Sequence, residues 1–158
     1  MRPVCTLVGI ALGALAALPA GAQTLLGYQR TAAGDWVCGG VGTEERRQMR
    51  ALEAEANATL LFVAGRRGGY LAEVAVELRR AGAGEASSLA FTAEGPMCAL
   101  RLEPGSWRVR ARHAGETRER SLRVPAAGRQ PARAVFVFPA QPWDGVWASP
   151  EEKRSGRE

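Results

Sequence analysis

Ser106-Trp107-Arg108-Val109-Arg110-Ala111-Arg112-His113 alternates strictly between two kinds of residue. Trp107, Val109 and Ala111 fall on one side of an extended chain; Arg108, Arg110 and Arg112 fall on the other. That two-residue period belongs to a strand with one buried face. Pro104-Gly105 before it and Ala114-Gly115-Glu116 after it are turn signals. Residues 117–124, apolar only at Leu122 and Val124, then return as a hairpin partner.

The same period extends upstream. Residues 59–64 form a continuous apolar run, long enough for a buried strand and too short for a helix. Arg66-Arg67-Gly68-Gly69 turns the chain into 70–78, with Val74, Val76 and Leu78 on one face and Glu73, Ala75 and Glu77 on the other. Weaker strands follow at 87–92 and 98–102, separated by Glu94-Gly95-Pro96, and a last one at 134–138. About seven short strands with turns between them predict a mainly β, antiparallel sandwich. Parallel pairing is not expected, because no helix separates these strands. The expected core includes Phe62, Val74, Val76, Leu78, Trp107, Val109 and Val137.

One helix is expected ahead of the sandwich, over residues 43–57. Thr43 is a suitable N-cap, and Glu44 and Glu45 suit the positive helix end. Met49, Leu52 and Ala56 form a narrow apolar stripe. Near Tyr28, Trp36 and Val37 a brief strand is expected, with Ala33-Gly34-Asp35 as a turn.

The 158 residues suit one domain. Apolar residues make up 46%, charged residues 23% and aromatics only 6%, which is globular composition with a small-residue, aliphatic core. The net charge is +5, and Lys153 is the only lysine. His113 is the only histidine, which excludes two-histidine metal sites and histidine relays within one chain.

Residues 1–22 have the layout of a signal peptide. Arg2 gives a positive start, 7–18 is apolar, and Ala20-Gly21-Ala22 is a small-x-small cleavage pattern. The apolar run is shorter than the ~20 residues of a membrane span. The expected mature chain starts at Gln23, carries 20 basic and 16 acidic residues for +4, and has no stable membrane insertion. Cys5 leaves with the signal peptide. Cys38 and Cys98 remain, and an even pair in an exported, periplasmic protein reads as a disulfide; two free thiols and a thiol nucleophile are the competing readings.

Pro104-Gly105-Ser106-Trp107-Arg108-Val109-Arg110-Ala111, then Gly115, then Leu122-Arg123-Val124, resembles the turn-and-core run of carboxypeptidase regulatory-like domains. Residues 70–78 resemble the strand that opens such a domain after its first one, and Gly39-Gly40-Val41-Gly42-Thr43-Glu44-Glu45 ahead of a helix is similar to small exported bacterial proteins carrying that domain. The resemblance spans about residues 38–138. It implies a transthyretin-like, Ig-like β-sandwich with a non-catalytic role and no cofactor. Trp107 stands where a tyrosine is usual, and the Cys38/Cys98 pair is no hallmark of the family. The organisation then reads as 1–22 signal peptide, 23–57 N-terminal segment with glycine-rich turn and helix, 58–138 sandwich, and 139–158 flexible tail with Trp143 and Trp147.

Candidate chemistry is sparse. The glycine run lacks the Gly-Lys-Ser/Thr ending of a phosphate loop, and Glu44 and Glu45 repel anions there. His113 has no signalled nucleophile or orienting group and reads as a solvated hairpin residue. Glu73 and Glu77, about 13 Å apart on one strand face, are too distant for paired glycosidase carboxylates. The sharpest feature is the ladder Arg108, Arg110 and Arg112, joined by Arg123, with Glu119 interposed from the next strand. It can hold acidic groups, but no aromatics interleave it as single-stranded nucleic-acid binders need. The leading expectation is therefore a non-catalytic binding or scaffolding module of the bacterial envelope. The alternative is an anion-binding envelope protein using the arginine face, with an acidic polymer or an envelope protein as partner and no specific nucleic acid. An envelope hydrolase or thiol enzyme, the third reading, lacks every standard constellation.

Overall fold

The computed structural model describes residues 25–65, 69–84, 87–126 and 128–140. Residues 1–24, which include the expected signal peptide, and residues 141–158, which include Trp143 and Trp147, lie outside them. Two sheets face each other. The first contains β1 (Gln29–Thr31), β2 (Gly34–Gly39), β7 (Met97–Leu102), β3 (Ala58–Ala64) and β10 (Ala132–Phe138), in that order, with β4 (Gly69–Tyr70) pairing β3. The second has the order β6 (Ser88–Ala93), β5 (Val74–Arg80), β8 (Gly105–His113), β9 (Glu116–Val124). The helix α1 (Thr43–Ala54) connects β2 to β3. The chain is a mainly β sandwich with a single helix among the described residues.

The core is what the pleat dictates. Leu60 and Phe62 of β3, Leu100 of β7 and Phe136 and Phe138 of β10 point inward from the first sheet. Val74, Val76 and Leu78 of β5, Trp107, Val109 and Ala111 of β8, and Leu122 and Val124 of β9 meet them from the second. The few aromatics are concentrated here: Trp107, Phe62, Phe136 and Phe138 are the largest fully buried side chains. The core is thus less purely aliphatic than composition predicts. Trp107 satisfies its indole N–H by donating to the Glu103 carbonyl at 2.9 Å.

Four sequence expectations are corrected. Parallel pairing does occur: β10 runs parallel to β3, Ala132 opposite Ala58 through Phe138 opposite Ala64. The crossover that parallel strands require is supplied by the whole excursion β4 to β9 through both sheets, not by a helix. Val137 is not core; Ala134, Phe136 and Phe138 take the inward positions, which leaves Val135 and Val137 exposed. Residues 70–78 are not one strand. Leu71 N–H still bonds to Phe62 in the first sheet, and Glu73 adopts φ 55°, turning the chain across to the second sheet at Val74. Hence Glu73 does not share a strand face with Glu77.

The helix is the fourth. It stops at Ala54, not Asn57. The Asn57 side chain accepts from Leu102 N–H at 2.9 Å and donates to the Leu102 carbonyl at 2.7 Å, which draws that residue into the sheet. Gly42, not Thr43, occupies the N-cap. Met49 is fully buried and packs, with Leu52 half-buried beside it, on Val37 and Ala99 on the outer side of the first sheet.

Candidate anion-binding face

The inward turn of Trp107, Val109 and Ala111 sends Arg108, Arg110 and Arg112 outward together, at steps of about 6.6 Å. Register then determines their neighbours. Arg110 lies between Glu77 on β5 and Glu119 on β9; Arg108 lies between Arg79 and Ser121; Arg112 lies between Ala75 and Thr117. Arg123 pairs with Ser106 at one end of the same face.

Arg110 is the neutralised member. Its Nε donates to Glu119 at 2.6 Å, and its guanidinium lies 3.7 Å from Glu77. These acids hold its pKa above the ordinary arginine value, the Glu119 hydrogen bond contributing most. Glu77 also binds Arg79 at 2.5 Å. The Arg79 hydrogen bond leads the causes that hold the Glu77 carboxyl below the usual range, and the charges of Arg110 and Arg112 add to it. Arg108, Arg112 and Arg123 have no carboxylate within ion-pair distance among the described residues. Five arginines against Glu77 and Glu119 leave the face at +3.

The face is not flat. Ala75 and Ala90 are short, and with Thr92 they floor a depression of about 420 Å³ bordered by Glu77, Arg110 and Arg112. An anionic group entering it meets Arg112, which acts on Glu77 through its charge but has no carboxylate within ion-pair distance among the described residues. Sequence reading missed Arg79 and the role of Glu77. Both stand on the outer side of β5, but β5 pairs with β8 across two intervening strands, and local periodicity carries no signal for that partnership.

The other candidates separate. Cys38 and Cys98 are directly opposite on β2 and β7, buried, with Cα atoms 4.1 Å apart and sulfurs at disulfide-bond distance. His113 is not a solvated tip: it is half-buried and sets its ring edge-on to Phe138, centroids 5.7 Å apart. The hairpin beyond it turns on Ala114 and Gly115, both at positive φ. In the glycine run, the amides of Gly40 and Val41 donate to the Glu45 carboxylate at 3.1 Å each, so that carboxylate occupies the donors an anion would use. Among the described residues no three His, Cys, Asp or Glu side chains converge, and no helix is long and apolar enough to cross a membrane. No family model and no curated protein matches the chain.

Proposed function

We propose that this chain is an exported, non-catalytic β-sandwich module of the carboxypeptidase regulatory-like kind, and that it binds an acidic polymer in the bacterial envelope through the outer face of its second sheet. The observation that carries the binding reading is the set Arg108, Arg112 and Arg123, three guanidiniums on one sheet face with no carboxylate within ion-pair distance among the described residues. The signal-peptide pattern of 1–22 supports export, and a buried cysteine pair at disulfide distance fits an oxidising compartment. The run 104–124 supports the family reading. Arg110, tied to two carboxylates, serves as a fixed pillar of the face instead of a contact.

A salt series tests this. With polyphosphate as probe, three neutralised contacts predict an affinity falling about 20- to 40-fold between ~50 and ~200 mM salt. Binding that is absent at ~50 mM salt, or flat across the series, contradicts an anion-binding face.

A further inference from the structure

A second concavity, of about 620 Å³, lies on the outer side of the first sheet, where α1 ends. Arg50 and Glu53 of the helix form one wall, Arg129 and Arg133 ahead of and within β10 form the other, and Arg101 of β7 lies between. A helix C-terminus carries partial negative charge, but here that charge is already answered. Arg101 bonds the Glu55 carboxylate, donates from Nε to the Glu55 carbonyl at 3.4 Å, and stacks over the Tyr28 ring at 3.9 Å. The Tyr28 hydroxyl donates to the Leu52 carbonyl at 2.8 Å. Arg101 and Glu55 therefore neutralise each other. Arg50, Arg129 and Arg133 have no carboxylate within ion-pair distance among the described residues, and Glu53 is the one acid left to offset them. Four arginines against two glutamates leave +2.

We propose that this cleft binds a small, compact anion carrying two or more phosphate or carboxylate groups. Guanidinium forks match both groups bidentately. Forks on two opposing walls suit a ligand with an anionic group for each wall. The surplus of two charges suits a di- or trianion, since a monoanion leaves Glu53 against it and one fork unused. The cleft volume falls in the range of about 300–1,000 Å³ typical of small-molecule sites. This site shares no residue with the face of the second sheet, and neither reading depends on the other.

Calorimetric titration of the whole chain with pyrophosphate, and separately with citrate, tests it. The expected result is one-to-one binding of at least one of them. Arg129→Gln/Arg133→Gln should weaken it about tenfold or more, the loss that removing charge-assisted hydrogen bonds brings. Arg108→Gln/Arg112→Gln/Arg123→Gln should leave it unchanged. Preference for pyrophosphate identifies phosphate as the recognised group; preference for citrate identifies carboxylate. Arg50→Gln, on the exposed helix surface, gives a second variant should the double one unfold, and it too should weaken binding. Absence of one-to-one binding by both anions, or undiminished affinity in folded cleft variants, overturns the proposal, as does equal loss in the second-sheet variant.

Discussion

The indole of Trp36 on β2 lies flat against the ring of Phe91 on β6, centroids 4.2 Å apart and planes 9° from parallel. These strands belong to different sheets, so the stack ties the sandwich together at the side where β6 is an edge. Such pairs contribute about 0.5–1.5 kcal/mol beyond their buried area. A double-mutant cycle of Trp36→Ala and Phe91→Ala should give a coupling in that range. Additive losses would show that the rings contribute burial only.

Trp107 is 2% exposed and bridges the two layers. Trp107→Ala should cost about 3–5 kcal/mol by chemical denaturation. With Trp36, Trp143 and Trp147 changed to Phe, Trp107 becomes the sole indole, and its emission should be blue-shifted. Red-shifted emission would place it in water and invert the strand register.

Cys38 and Cys98 are 60 residues apart in sequence. Chain-entropy reasoning gives about 4 kcal/mol for a bridge closing such a loop. Protein recovered under non-reducing conditions should weigh two hydrogens less than the dithiol, and reduction should lower its denaturation midpoint. Two alkylatable thiols in the native protein would contradict the bridge. Beside it, a Cβ on Gly95 would sit 2.4 Å from the Gly39 carbonyl oxygen. Gly95→Ala should therefore destabilise the fold even though the change is small.

Glu77 has its folded-state pKa lowered, chiefly by the Arg79 hydrogen bond. A depressed carboxyl contributes stability above its unfolded value of about 4.3 and loses it as pH falls through the folded value. Unfolding measured from pH ~6 to ~2 should show an acid-side loss that is reduced in Glu77→Gln. The contribution is small, because the carboxylate is close to solvent. An identical acid profile in the variant would contradict the pairing.

What was legible in the sequence was whatever depends on residues two to four apart. The alternation at 105–113 predicts both the buried row from Trp107 to Ala111 and the outward arginines, and Met49 and Leu52 predict the helix face. What was hidden depends on partners distant in the chain. Nothing near residues 132–138 signals that β10 lies parallel to β3, and so nothing decided between Val137 and Phe136 as the inward residue. Asn57 continues the helical pattern locally, but Leu102, 45 residues on, draws it into the sheet. Glu77 and Arg79 entered the candidate face only because β5 pairs with β8; that pairing adds a second carboxylate to the Glu119 of β9 that clamps Arg110, and leaves its neighbours on β8 freer.

The most direct test of the binding face replaces its three uncommitted cations and leaves the clamped one in place. In Arg108→Gln/Arg112→Gln/Arg123→Gln, Arg110 keeps Glu77 and Glu119, so stability should stay within about 0.5 kcal/mol of the parent, as surface changes usually do. With the cleft of the first sheet removed from both proteins by Arg129→Gln/Arg133→Gln, affinity for polyphosphate at ~50 mM salt should collapse, and the salt dependence of any residual binding should flatten. Undiminished affinity in that folded variant would contradict the face as the site of binding.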